Sequence, residues 1–291
     1  MKINLKLLVV VACFVLPINA SVIHSYLFAH GLGASSQQAH DYAVSPFNNQ
    51  WIIKQPLFLF DFPDAANQNF NPAFTSLGQG DEINVIADAY KKTKTVSDKI
   101  ILLGLSRGAA AMINFLGSHQ PSNIAAAIFE SPFDSITGLI QRKLSRNYMW
   151  WIPQSIAKRA PELIFKKYRA HECAPCDAIM HIPKDIPLLF VCSLKDTLID
   201  AQGTCNLYCA LKNAGYNNIY LLLLNEGAHA QLKWQNDRDW YVHTVHAFYD
   251  KYALPCEKNF AQKGAAVLEQ CQPSVEVVQK ALQTGKSYIT G

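Results

Sequence analysis

The stretch Lys99–His119, KIILLGLSRGAAAMINFLGSH, limits what the chain can fold into more than any other. Ile100, Ile101, Leu102 and Leu103 form a short uncharged run, β-branched at its start. Such a run suits a strand buried on both faces of a parallel sheet. It passes directly into Gly104-Leu105-Ser106-Arg107-Gly108 and then into an alanine-rich amphipathic segment. Strand, G-x-S-x-G and helix, in that order, put Ser106 in a sharp turn that lifts its hydroxyl clear of the sheet. The flanking glycines are required because a Cβ at either position would meet the neighbouring strand or helix. Ala109, Ala110 and Ala111 let the helix lie close to the sheet, and Met112, Ile113, Phe115 and Leu116 form its apolar face. Five residues alone would also fit an ordinary glycine-rich βα turn with a hydrogen-bonding serine. The flanks argue against that.

With 291 residues, half of them apolar, the chain can bury one large α/β core. Its net charge is +4, of which Lys2 and Lys6 supply two. No basic block remains, so nothing points to nucleic acid. Residues 1–20 read as a signal peptide: Lys2 and Lys6 form the positive region, Leu7 to Leu16 is apolar, and Pro17-Ile18-Asn19-Ala20 offers a small residue before the cut. The apolar run is short for a membrane span, so membrane contact is expected only through this segment. Val10-Val11-Ala12-Cys13 resembles a lipobox, but cleavage after Ala20 leaves the better h-region. Export to the periplasm or medium is the expectation. Loss of Cys13 with the signal leaves seven cysteines for that oxidising compartment, so disulfides are expected with at least one thiol unpaired. Cys192, inside a predicted strand, is the natural free one. Cys205 and Cys209 lie one helical turn apart, within reach of a bridge but not ideal for one. Cys173-x-x-Cys176 lacks the second ligand pair a zinc site needs.

Strands are expected at Val22–Ala29, ending in His30-Gly31-Leu32-Gly33, and at Pro56–Phe60. A helix capped by Asp81, with Ile83, Ile86, Ala87 and Tyr90 inward, precedes the Ile100 strand. Ile124–Phe129 is the next strand, closing with Glu130-Ser131-Pro132-Phe133. From about 134 to 182 the alternation of strand and helix stops, and this segment reads as a short helical cap insertion. Trp150-Trp151 within it either packs the cap onto the body or lines an apolar acyl or leaving-group pocket above Ser106. We favour the second. The pattern resumes with Pro187–Ser193, a helix near Gly203–Asn213, Ile219–Leu224, and a helix from about Asp237 to Tyr252. The order predicts an α/β fold: a mostly parallel sheet of about six strands with helices on both faces, spanning residues 21–255. Residues 256–291 form a peripheral tail with one helix, Ser274 at its N-cap and Gly285 at its C-cap.

A serine hydroxyl is a poor nucleophile until a base takes its proton, and a carboxylate that orients the base completes the set. After an elbow serine the partners follow in the order acid, then histidine, beyond the C-terminal ends of later strands. Asp196 and His229 stand at those ends. Asp200 falls at the start of a helix and reads as its cap. Glu130 and Asp134, after the fourth strand, are alternative acids, and Asp185 lies at the wrong edge. His30 reads as a brace for its turn. His24, His243 and His246 read as core or surface residues, and His40, His119, His171 and His181 lack partners. No H-E-x-x-H is present, so neither metal nor cofactor is expected.

These motifs, His30-Gly31-Leu32-Gly33, Gly104-x-Ser106-x-Gly108, Glu130-Ser131-Pro132-Phe133, Asp196-Thr-Leu-Ile and Gly227-Ala-His229, resemble the α/β-hydrolase family. In particular they resemble its small serine-hydrolase branch, similar to Bem46-like proteins and the catalytic domains of serine peptidases. The resemblance spans roughly Val22 to Tyr252. It implies Ser106 as nucleophile, His229 as base, Asp196 as acid, and an oxyanion hole made by the backbone N–H groups of Leu32 and Arg107. Ser193 stands where relatives usually carry glycine, and the family's first two strands are missing. The implied activity is hydrolysis of a small or lipid-like carboxylic ester through an acyl-enzyme. A peptidase or amidase, an acyltransferase, and a catalytically silent binding scaffold are the alternatives.

Overall fold

The computed structural model describes residues 22–46, 50–53, 56–65, 71–146, 153–234 and 238–290. The expected signal peptide and the Trp150-Trp151 pair lie outside the described residues. Six strands form one sheet: β1 (His24–Ala29), β2 (Leu57–Phe58), β3 (Lys99–Leu105), β4 (Ile124–Glu130), β5 (Leu188–Ser193) and β6 (Ile219–Leu224). Their order is β2-β1-β3-β4-β5-β6, and every neighbouring pair is parallel. β1 starts two residues later than expected, and β2 is two residues long rather than the five of Pro56–Phe60.

β3 shows why this is a two-faced sheet. Ile100 and Leu102 point into one core, and Ile101, Leu103 and Leu105 into the other, as a period of two requires. The first core is closed by α1 (Gly80–Lys94), α2 (Arg107–His119), α5 (Ala201–Asn213) and α8 (Val275–Thr284). The second is closed by α6 (Arg238–Lys251) and α7 (Lys258–Gln270). Between β4 and β5 lie the cap helices α3 (Ile136–Arg146) and α4 (Gln154–Ile164), followed by a short turn at Pro175–Ala178. Phe133, Ile136 and Leu139 pack with Leu77, Tyr168 and Ile199, tying the cap to the body.

Two local expectations are corrected. Asp81 is not the cap of α1, which begins at Gly80 after Gln79. Asp81 sits within the first turn and pairs with Lys167 at 2.6 Å. The tail carries two helices, not one. The unexpected one, α7, has Gly264 at its centre, which reads as a helix weakener in isolation. A Cβ there would lie 2.1 Å from the His243 carbonyl oxygen, so glycine is what lets α7 press against α6. The tail also closes the β6 edge. The Cys271 carbonyl accepts from Leu221 N at 2.7 Å, and the hydroxyls of Ser287 and Tyr288 donate to the carbonyls of Leu223 and Leu221. An open strand edge is a template for unwanted pairing, and this one is covered.

Candidate active site

At the end of β3 the chain turns through Ser106 with φ 53° and ψ −117°, a conformation L-residues avoid. Two close approaches hold it there. A Cβ on Gly104 would lie 2.6 Å from Ala109 Cα, and one on Gly108 would lie 2.2 Å from the Ala29 carbonyl oxygen. The Ser106 N–H donates to the Glu130 carbonyl at 2.8 Å, anchoring the turn to β4. Ser106 therefore opens α2 with its hydroxyl above the C-terminal edge of the sheet.

The loops after β5 and β6 bring Asp196 and His229 to the same edge. His229 Nε2 lies 2.8 Å from Ser106 Oγ, and His229 Nδ1 lies 2.7 Å from Asp196 Oδ2. The other carboxylate oxygen, Oδ1, accepts from Leu198 N and Ile199 N, each at 2.9 Å. One oxygen is thus pinned by the backbone while its partner faces the imidazole. Ser193 Oγ accepts from Lys195 N at 3.0 Å and tightens the turn that presents Asp196.

The turn at His30–Gly33 faces the serine. Gln38 Oε1 accepts from Gly31 N at 2.8 Å, and the Arg107 guanidinium donates to the Gly31 carbonyl at 3.0 Å. His30 Nε2 accepts from Phe62 N at 3.1 Å, which leaves its proton on Nδ1, 2.9 Å from the Gly31 carbonyl. Burial, with Arg107 adding to it, pushes the His30 imidazole down to about 4, consistent with a neutral brace. Leu32 and Arg107 line one cavity with Ser106. Among the described residues neither of their amides has an acceptor.

Arg107 has a second part, which its sequence position did not reveal. Its side chain is 1% exposed and lies between two buried carboxylates, Asp64 at 2.5 Å and Glu82 at 3.3 Å, with its Cζ 4.4 Å from the centre of the Phe62 ring. Glu82 also accepts from Thr75 Oγ1 (2.7 Å), Ser76 N (2.9 Å) and Gly78 N (2.7 Å). The cluster locks the loop before α1 to the elbow and to the Gly31 turn. One general signal was available: a buried guanidinium demands carboxylates. Nothing in the sequence said which ones.

The competing acids go elsewhere. Asp200 caps α5 through Gly203 N and, like Asp134, pairs with Arg142. Glu130 is buried, with both carboxylate oxygens within 2.8 Å of the Tyr42 hydroxyl; burial pushes it up to about 7. His246 is held at both ring nitrogens, by the Trp51 carbonyl and by Glu257 N. The expected disulfides are absent among the described residues: all seven cysteines are free thiols. Cys192, Cys205 and Cys271 are buried, whereas Cys173 and Cys176 are exposed.

Above Ser106 a cavity of about 260 Å³ is walled by Leu77, Phe133, Ile136, Leu139, Phe165 and Ile199, among others. A strained serine hydrogen-bonded to a histidine at the C-terminal edge of a parallel sheet is the equipment of an α/β-hydrolase, and the chain is a serine hydrolase of that fold. Residues 78–255, more than half of it, match the prolyl oligopeptidase family, and the chain belongs to that family. A comparison with curated proteins found no match. Among solved structures, an esterase of Pyrococcus furiosus aligns over 79% of this chain and 83% of its own, at 19% identity and a TM-score of 0.57. The acylaminoacyl peptidase of Pyrococcus horikoshii aligns over 82% of this chain at 16% identity and a TM-score of 0.55; this chain spans only 39% of that protein's length. One of the metagenome-derived lipolytic enzymes LipS and LipT aligns over 79% of this chain and 94% of its own, at 16% identity and a TM-score of 0.52. These likenesses are of fold.

Proposed function

We propose that Ser106, His229 and Asp196 act as a catalytic triad and that the protein is a carboxylic ester hydrolase working through an acyl-enzyme. The Ser106–His229–Asp196 chain of contacts, 2.8 Å and 2.7 Å, carries this reading. His229 Nε2 takes the Ser106 proton as Oγ attacks the carbonyl. The oxyanion forms against the Leu32 and Arg107 amides, each such donor contributing about 3–4 kcal/mol in comparable sites. The N-terminal end of α2 adds its dipole at the same point. Collapse passes the proton from His229 to the leaving oxygen. Water, deprotonated by the same nitrogen, then releases the acid and restores Ser106. Asp196 holds the imidazole with its proton on Nδ1 and stabilises the imidazolium.

The largely apolar walls of the cavity favour an acyl ester, small or lipid-like, over a polar peptide. Membership of the prolyl oligopeptidase family supports a second reading, a peptidase using the same machinery. The signal-like residues 1–20 support export in either case. A panel of p-nitrophenyl esters and aminoacyl amides, run beside Ser106→Ala, separates the readings. Ester turnover that Ser106→Ala abolishes is expected; turnover of amides alone would favour the peptidase.

A further inference from the structure

One wall of the cavity is a single face of α3. Ile136, Leu139, Ile140 and Lys143 follow one another at the spacing i, i+3, i+4, i+7, and all four line the cavity. Ile136 is six residues past the end of β4, at the edge of the sheet that carries the serine. Lys143 lies two turns further along the helix, about 10 Å at 1.5 Å per residue. A chain laid against this face meets apolar side chains first and an ammonium last.

The charge on that face is uncompensated. The adjacent Arg142 is held by Asp134 at 2.8 Å and Asp200 at 3.0 Å, and Arg146 approaches Asp200 at 3.5 Å. Asp134 and Asp200 are thus taken by the arginines of this helix. The other cation lining the cavity, Arg107, is neutralised by Asp64 and Glu82. Lys143 is half-buried and, among the described residues, has no hydrogen-bond or ion-pair partner. A cation with no carboxylate partner among the described residues, at the far end of an apolar wall, is a place for an anion brought by a ligand.

We infer that the substrate is an anionic amphiphile: an ester whose apolar span lies along Ile136, Leu139 and Ile140 and whose anionic group, a carboxylate, sulfonate or phosphate, meets Lys143. Lys143 is then a specificity-determining residue. The inference rests on the ester-hydrolase reading above and names the substrate class of the same cavity. No step of the acyl transfer changes. The anion fixes the chain's direction along the apolar side of the cavity.

The test is a matched set of p-nitrophenyl esters. One arm carries linear ω-carboxyl acyl chains of rising length and the carbon-matched neutral fatty acyl chains. A second arm places a sulfonate on the leaving group of a neutral acyl ester, so the two arms tell which side of the carbonyl bears the charge. The quantity read is the ratio of kcat/KM for anionic over neutral substrate. The wild type should favour the anion in one arm, with the preference in the acyl arm peaking at medium rather than shortest length. Lys143→Gln should lower that ratio about tenfold, the usual scale of a hydrogen bond to a charged group. Lys143→Arg should keep it, Lys143→Glu should reverse it, and Lys263→Gln, an exposed lysine on α7, should leave it unchanged. Neutral esters turned over with no anionic preference in either arm, or a ratio indifferent to Lys143→Gln in a folded protein, overturns the inference and leaves the hydrolase reading intact. If no ester of any charge is turned over, the ester-hydrolase reading fails and the inference falls with it.

Discussion

Two clusters of three ionisable side chains meet at the elbow, and they differ in nearly every respect. Ser106 and His229 open onto a cavity with Asp196 buried behind them, and the Ser106–His229 contact can be exchanged for contacts with substrate. Arg107, the next residue, is buried with Asp64 and Glu82, and most of their polar atoms are spent on one another and on the loops around them, Asp64 Oδ2 and Arg107 Nε being left over. The first cluster suits proton transfer because it is incomplete without a ligand. The second suits holding a shape because it is nearly complete without one. The elbow joins them: one residue contributes the hydroxyl, and the next contributes both an amide facing the cavity and a side chain facing the core.

Substitutions should separate chemistry from scaffold. Ser106→Ala should lower kcat by about 10⁶-fold, and Asp196→Asn by about 10⁴-fold through the wrong imidazole tautomer. Both variants should unfold in urea near the wild-type midpoint. A large loss of stability in either would mean the two clusters are one unit. Arg107→Met should do the opposite, leaving two buried carboxylates unpaired and costing roughly 3–5 kcal/mol in urea unfolding. Adding Asp64→Asn and Glu82→Gln to Arg107→Met should recover part of that loss, because the uncompensated charges are then gone. Failure to recover any of it would place the cost in lost packing against Phe62 instead.

A smaller effect sharpens the same contrast. Glu130 lies under the site, outside both clusters, and burial raises it from 4.5 to about 7. The folded protein therefore binds a proton more tightly than the unfolded chain, so stability should fall as pH rises from about 4.5 to about 7 and level off above. Glu130→Gln keeps an acceptor for the Tyr42 hydroxyl and should remove that slope. Urea midpoints across this pH range read it directly. The smallest effect is expected at Gln38→Ala, which frees the Gly31 amide: about 1 kcal/mol in kcat/KM, with little change in stability.

The legibility of the two clusters in sequence follows from their physics. A nucleophile and its partners are expected at the C-terminal ends of strands, and hydrophobic runs mark those ends, so Ser106, Asp196 and His229, the proposed triad, could be named as candidates by position. The elbow's glycines were readable for the same reason, each being forced by one backbone approach. Glu82 and Asp64 carry no such mark. Glu82 sits in the first turn of a helix, where a carboxylate is ordinary, and Asp64 lies in a loop. Only tertiary packing turns them inward. The helix α7 was not marked in the sequence, because its Gly264, a residue that weakens an isolated helix, is what close contact with α6 requires. The disulfide expectation failed because a compartment's redox state says nothing about where seven side chains point.

The central claim is that Ser106 is an activated nucleophile, and covalent capture tests it without knowledge of the substrate. The folded protein treated with a fluorophosphonate and digested for mass spectrometry should carry one adduct, on Ser106, that His229→Ala largely prevents. A folded protein left unmodified at Ser106, or modified at another residue with equal speed in His229→Ala, would contradict the account.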